Sequence, residues 1–380
     1  MTAFSLEPEQ LAWCERLRTL AAQRLRPLAD QGDPGHVNRP LVAELGAAGL
    51  LARLFTSGAL DLCLMRESLA YACTEAETAL ALQGLGAHPV HAHGTEAQRA
   101  RWLPRVSDGT AVAAFALSEP AAGSDAAALS LGAEPDGRSG WRLTGDKCWI
   151  SNAPEADLYT VFARTTPGAG ARGVTAFLVP ADRPGLTGTP LDMLSPHPIG
   201  ALAFDAVPVT ADDVLGEPDR GFRVAMGTLN LFRPSVGAFA VGMARAALDA
   251  TLAHTRAREA FGGTLRDLQT VSHQVAEMAL RTEAARLMVY AAATAYDENA
   301  QDVPGRAAMA KLLATETAQY VVDRAVQLHG ARALQRGHLL EHLYREVRAP
   351  RIYEGASEVQ RDIIAKELYR TTDTTGEARA

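Results

Sequence analysis

Positive charge is in short supply in this 380-residue sequence, where 37 Lys+Arg stand against 44 Asp+Glu and leave a formal charge of -7. Nucleic acids and anionic membrane surfaces are held by a surplus of cations, so neither is an expected partner. Cysteine is equally sparse. Cys14, Cys63, Cys73 and Cys148 are scattered without a C-x-x-C pair, which spells out no disulfide framework and no zinc cage. No apolar run approaches the roughly 20 residues of a membrane span, and the first helix-like stretch carries Glu7, Glu9, Glu15, Arg16 and Arg18. The expectation is a soluble, cytoplasmic chain with no membrane partner. Nucleophile elbows (G-x-S-x-G), phosphate loops (G-x-x-x-x-G-K-[ST]) and dinucleotide fingerprints (G-x-G-x-x-G) are also missing, which removes the usual support for hydrolase, P-loop and Rossmann chemistry.

What is present is apolar and unevenly punctuated. With 47% hydrophobic residues, the length suits two or three packed units. Between Ser118 and Arg220 there are 12 Gly and 11 Pro, whereas the rest of the chain holds 20 Gly and 9 Pro. Short β-prone runs lie between these turn-makers: Trp141 to Leu143, Leu158 to Arg164, Gly173 to Val179 and Leu202 to Phe204. The flanks are rich in Ala, Leu, Arg and Glu, which favour helix. Thr95 and Gln98 fit a capping box, as do Ser357 and Gln360. Val271, Val275, Met278, Ala285, Val289 and Ala292 recur on one helical face; Ala314, Ala318, Val321, Val322, Ala325 and Leu328 do the same. The reading is α+β: a helical domain over 1–112, a central β-barrel or sandwich domain over 113–218, a four-helix bundle over 219–370, and a polar tail over 371–380.

Several motifs admit both a structural and a chemical reading. His88, His91 and His93 lack nearby carboxylate or Cys partners, so they read as structural histidines and no metal site is expected. ALSEPAAGSD (Ala116 to Asp125) and GDKCWISNA (Gly145 to Ala153) are either turns and strand ends or surfaces that admit a ligand closely. Glu354, just ahead of a last helix, is either a surface acid near the helix dipole or a desolvated general base.

Taken in order, GTEAQRARWLP (Gly94 to Pro104), LSEPAAGSD (Leu117 to Asp125), DKCWISNA (Asp146 to Ala153), Arg233-Pro234, REAFG (Arg258 to Gly262), QLHG (Gln327 to Gly330) and IYEG (Ile352 to Gly355) resemble the motifs of the acyl-CoA dehydrogenase family. The likeness spans nearly the whole chain. It implies FAD and a trans-2-enoyl thioester product, with Glu354 removing the proton next to the thioester carbonyl while hydride leaves to flavin N5. Relatives that draw their base from the position before Arg233 find Phe232 there in this chain. The resemblance assigns Ser118, Trp149 and Ser151 to the flavin ring, and Arg258, Phe261 and Gln327 to FAD across a subunit contact. It assigns Ser124, Asn230, Arg233 and Tyr353 to the acyl-CoA channel. The implied partners are an acyl-CoA or acyl-carrier-protein thioester, an electron-transfer flavoprotein and a second copy of the chain, as a homodimer or homotetramer.

The chain also departs from that pattern. Ala356 and Glu358 replace a Thr and a Gln, Ala331 replaces a second Gly, and Asn230 stands where Asp is frequent. After Gly49-Leu50 a pocket-shaping loop is shortened, which implies an unusual acyl group or tether. Two alternatives stay open at this point: a flavin-dependent oxidase or monooxygenase of the same fold, and a degenerate non-catalytic scaffold. Retention of Glu354 speaks against the monooxygenase.

Overall fold

A computed structural model describes residues 6–137 and 140–377 of the chain. Of the expected 371–380 tail, the helix Ser357–Glu377 takes the backbone to Glu377, and the remaining three residues lie outside the described part. The structure divides into two compact units. One comprises Met1–Gln23, Gly58–Glu77 and Asn230–Ala380, and the other Arg24–Ser57 and Thr78–Leu229.

The second unit is built on an eight-stranded sheet. In chain order the strands are β1 (Ala113–Ala116), β2 (Gly132–Pro135), β3 (Gly140–Ser151), β4 (Leu158–Arg164), β5 (Val174–Pro180), β6 (Leu186–Pro190), β7 (Ile199–Thr210) and β8 (Val214–Leu215). They are arranged β6-β7-β3-β2-β4-β5-β8, with β1 running parallel to β4. The largely apolar runs of β4 and β5, broken by the buried Thr160 and Thr175, follow from burial on both faces. Tyr159, Val161, Ala163, Phe177 and Val179 enter one core with Leu143, Ile150, Phe204 and Val209 from the neighbouring strands. Leu158, Phe162, Val174, Ala176 and Leu178 enter another, covered by Val90 from the helix Thr74–His93 and by Trp102 and Val106 from the helix Glu96–Ser107. The capping box forms as expected: the Thr95 N–H donates to Gln98 Oε1 at 2.7 Å, and the Gln98 N–H donates to Thr95 Oγ1 at 3.2 Å.

The first unit is helical. Its long helices are Gln269–Asp297, Val303–His329 and Ser357–Glu377, together with Gly221–Ala257 from Asn230 onward. Both sequence stripes are core stripes, although Val275 and Leu328 at their margins are only partly buried. Gly237 lets these helices approach closely, because a Cβ there would stand 2.7 Å from Val289 Cγ2 and 3.3 Å from the Ala310 carbonyl oxygen. Gly221–Ala257 corrects the reading of apolar runs: it contains an 18-residue window of mean hydropathy 1.3, apolar enough to span a bilayer, but 67% of that window is buried inside the protein. The segment after Gly49-Leu50, expected to be shortened, forms the helices Leu50–Thr56 and Ala59–Ala72, separated only by Ser57 and Gly58.

Candidate active site

In the sheet unit, the two motifs read as ligand surface or turn are held together by a buried ion pair. Lys147, wholly buried, donates to Glu119 Oε1 and to the Leu117 carbonyl, both at 2.9 Å. Glu119 also accepts from the Ser130 N–H at 2.6 Å, the Ser130 hydroxyl at 2.9 Å and the Leu131 N–H at 2.9 Å. The Cys148 N–H then donates to the Ser118 carbonyl at 3.0 Å, so Ser118 lies against the bend of β3. That bend is a bulge. Lys147 pairs with Leu202 and Ile150 with Gly200, so three residues of β3 advance while β7 advances two. Trp149, at φ 56°, absorbs the extra residue. The bulge keeps Lys147 and Ile150 both facing inward and turns Trp149 outward, where 49% of it is exposed. Ser151, at the end of the same strand, is half-buried, whereas Ser124 is exposed and no hydrogen bond of its side chain ties it to this cluster.

In the helical unit, Glu354 occupies a left-handed turn, at φ 51°, followed by Gly355 at φ 96°. Four side chains converge on this turn. Arg233 Nε donates to the Glu354 carbonyl at 3.2 Å, and its Nη1 donates to Asn230 Oδ1 at 3.2 Å. Gln360 Nε2 donates to the Glu354 carbonyl at 3.2 Å and to that of Gly355 at 2.9 Å. Lys311 Nζ donates to the Gly355 carbonyl at 2.7 Å. The fourth, Arg66, is 3% exposed, ion-pairs with Glu77 and donates from Nη1 to the Ser235 hydroxyl at 2.7 Å. The Glu354 carboxylate itself stays apart: its Oε2 is buried and receives no hydrogen bond. Burial pushes this carboxyl above the usual carboxylate range, against the pull of Arg66, Lys311 and Arg233. Glu354 as a whole is half-buried, and its Oε2 is withdrawn from solvent, unlike the carboxylate of an exposed surface acid.

Among the sequence-derived candidates, Asn230, Arg233 and Glu354 are thus linked by hydrogen bonds, with Tyr353 next to Glu354 in the chain. The Phe232 side chain is buried and apolar. Arg258 and Phe261 lie at a two-stranded ribbon, Glu259–Ala260 with Gly263–Thr264, where Phe261 is 91% exposed at φ 55°. Gln327 is exposed near the end of Val303–His329, and the stacked rings of His254 and His329, 4.1 Å apart, join that helix end to the one preceding Arg258.

The capping box read at Ser357 and Gln360 is corrected. The Ser357 hydroxyl donates to Glu316 Oε1 at 2.6 Å, the Gln360 N–H to the Ala356 carbonyl at 3.0 Å, and the Gln360 amide to the turn. The sequence singled out neither Lys147, Glu119, Lys311 nor Arg66, and Gln360 only as a helix cap. A signal for two of them was available: only three of the 37 basic residues are lysines, at 147, 311 and 366, and two of those are wholly buried.

Models of the N-terminal, middle and C-terminal domains of acyl-CoA dehydrogenases match residues 7–110, 114–207 and 219–369. The short-chain specific acyl-CoA dehydrogenase of Bos taurus mitochondria is 37% identical over 366 residues, covering 93% of this chain and 88% of that one. The chain belongs to the acyl-CoA dehydrogenase family. Among solved structures, butyryl-CoA dehydrogenase of Megasphaera elsdenii has a TM-score of 0.90 at 31% identity, over 96% of this chain and 99% of the other. PigA with FAD and proline has a TM-score of 0.89 at 29% identity, over 96% and 98%. This family member therefore shares the helical, sheet and helical order of acyl-CoA dehydrogenases and is an oxidoreductase of that kind.

Proposed function

We propose that this enzyme removes the α and β hydrogens of an acyl-CoA thioester, with Glu354 as the base, leaving a trans-2-enoyl thioester. The observation that carries the proposal is the buried, unpartnered Oε2 of Glu354, surrounded by three cations that are committed to other acceptors. A carboxylate so placed is basic enough to accept a carbon-bound proton, and cations nearby favour the negative charge that develops on the thioester. The Glu354 backbone N–H donates to the thioester oxygen, which makes the α-carbon more acidic.

FAD, when bound, supplies the hydride acceptor. The residues present fit such a group, because Trp149 and Phe261 leave large aromatic faces uncovered, as a flat heterocycle requires. Ser118, Trp149 and Ser151 would hold the isoalloxazine ring, and Arg258, Phe261 and Gln327 would reach FAD across a contact with a second copy of the chain. Ser124, Asn230, Arg233 and Tyr353 would receive the acyl-CoA. On this reading electrons leave to an electron-transfer flavoprotein, and we take the reaction to be cytoplasmic. For this function we take 1–112, 113–218 and 219–370 as the working segments.

The test is anaerobic. Purified protein carries yellow FAD, and an acyl-CoA from a panel running from short to long chains bleaches it. Glu354→Gln keeps the flavin and loses the bleaching, because the proton acceptor is gone. Protein that cannot be loaded with FAD, or a Glu354→Gln variant that bleaches normally, overturns the reading.

A further inference from the structure

The face that the helix Val303–His329 turns to the protein interior is mostly small and apolar. Ala307, Ala308, Ala310, Ala314, Ala318 and Val321 are all buried on it. Lys311 interrupts this surface, 0% exposed, in a chain where lysine is almost absent and arginine carries nearly all positive charge. Burying an ammonium is costly unless it is held by good acceptors. It donates to a backbone oxygen, the Gly355 carbonyl at 2.7 Å, and not to the Glu354 carboxylate. Gln360, also 0% exposed, repeats the choice by holding the carbonyls of both Glu354 and Gly355.

The turn needs such holding, since non-glycine residues with positive φ are uncommon and lie above their preferred conformations. Glu354 at φ 51° keeps that shape only if the surroundings fix it. Space is fitted closely around Gly355 as well, where a Cβ would come within 2.3 Å of Gln360 Nε2.

Resting on the reading of Glu354 as the base, we propose that Lys311 and Gln360 are positioning residues that lock the Glu354–Gly355 backbone, aiming the carboxylate while leaving it unpaired. Direct pairing with a cation would stabilise the carboxylate and weaken it as a base. Donating to the carbonyls instead gives the turn its rigidity without that loss. Lys311 is faced by Glu354 and Glu358 from the last segment, by Arg233 from Gly221–Ala257, and by Glu316 from its own helix. Its positive charge favours ionised Glu354, as do Arg66 and Arg233.

The experiment uses the FAD-loaded enzyme and the acyl-CoA that bleaches wild-type protein fastest, with Lys311→Met, Lys311→Gln and Gln360→Met. All three are expected to keep their flavin and a thioester KM within about twofold. Lys311→Met should slow bleaching about ten- to a hundredfold, the scale of a small misplacement of a reacting group. Lys311→Gln, which retains a donor, should recover part of that rate. In both Lys311 variants the acid limb of the pH–rate profile should move to higher pH, because a charge that favours ionised Glu354 is gone, while Gln360→Met should slow bleaching without moving the limb. Wild-type rates with an unmoved limb, or a rate loss that only tracks lost flavin, overturn the proposal. If Lys311→Met yields no folded protein, Gln360→Met decides in the same way. Full bleaching by Glu354→Gln would instead remove the base reading itself, whereas an inactive Glu354→Gln beside fully active Lys311 and Gln360 variants removes only the positioning role.

Discussion

Replacing Lys147 by Met tests whether the buried pair with Glu119 holds the sheet motifs in place. The side chains are 0% and 4% exposed, and the ammonium makes two hydrogen bonds of 2.9 Å, one to Glu119 and one to the Leu117 carbonyl. Methionine fills similar volume but leaves Glu119 as a buried anion with only the three donors of Ser130 and Leu131. Breaking one side of a buried pair costs about 3–5 kcal/mol. The remaining donors argue for the lower end, and the orphaned carbonyl adds about 1 kcal/mol. A unit of this size loses about 2–4 °C per kcal/mol, so Tm should fall by roughly 8–16 °C. The double variant Lys147→Met/Glu119→Gln buries no charge and should regain about 2 kcal/mol. Burial also pushes the Lys147 ammonium down to about 8, below its ordinary value. Between that value and about 10.4 the folded chain therefore binds fewer protons than the unfolded one, and stability gains as pH rises. Lys147→Met lacks this gain. Calorimetry across that pH range measures both effects. A Tm within about 2 °C of wild type, or a double variant no better than the single one, refutes the argument.

Because burial raises the Glu354 carboxyl, its active ionised form is lost as pH falls through a value above the usual carboxylate range. The kcat/KM profile should therefore show its acid limb above about 4.5, and a limb at or below that value would contradict the site electrostatics. Phe261→Ala should change chain stability by less than about 0.5 kcal/mol, since the ring is 91% exposed. It should nonetheless reduce the FAD retained through gel filtration, and unchanged retention removes Phe261 from the cofactor contact. Lys147→Arg keeps the charge but forces a larger planar group into a filled space, so it should destabilise by about 1–3 kcal/mol; a neutral effect by thermal melting would show that the shape of the ammonium is not what matters.

Elements whose cause is local were legible, and those whose cause is a distant acceptor were not. The LYTVFAR run marked β4 from Leu158 to Arg164 because both strand faces are buried, so only Thr160 interrupts the hydrophobic signal before Arg164. Thr95 and Gln98 were read correctly as a capping box for a similar reason: their partners lie three residues apart. Ser357 and Gln360 present the same spacing and do something else, because Glu316 and the Glu354–Gly355 carbonyls compete for their donors. No sequence period announces that competition. The exposure of Trp149 was equally hidden, since the bulge that turns it outward is set by pairing with β7, some fifty residues along the chain. Glu354 could be located in the sequence, but whether its carboxylate meets solvent or is withdrawn from it required knowing what faces it.

The two buried lysines suggest why both motif loops are built as they are. Each loop leaves a backbone carbonyl outside regular strand or helix, at Leu117 just past β1 in one unit and at Gly355 in the left-handed turn of the other. A regular strand or helix would have satisfied those groups internally, but regular structure would also have removed the irregular turn that aims a side chain. A buried donor on a flexible stem resolves this conflict, because it satisfies the carbonyl from outside and leaves the turn its shape. Arginine, with a planar fork of five donors, would demand more acceptors than either carbonyl offers. An ammonium needs fewer, and in both places burial pushes it down to about 8, which shows how far the protein goes to keep that donor out of water. In a chain that uses arginine almost everywhere, two of the three lysines thus stand where a single compact donor holds a backbone carbonyl from within the core, while the third, Lys366, is exposed.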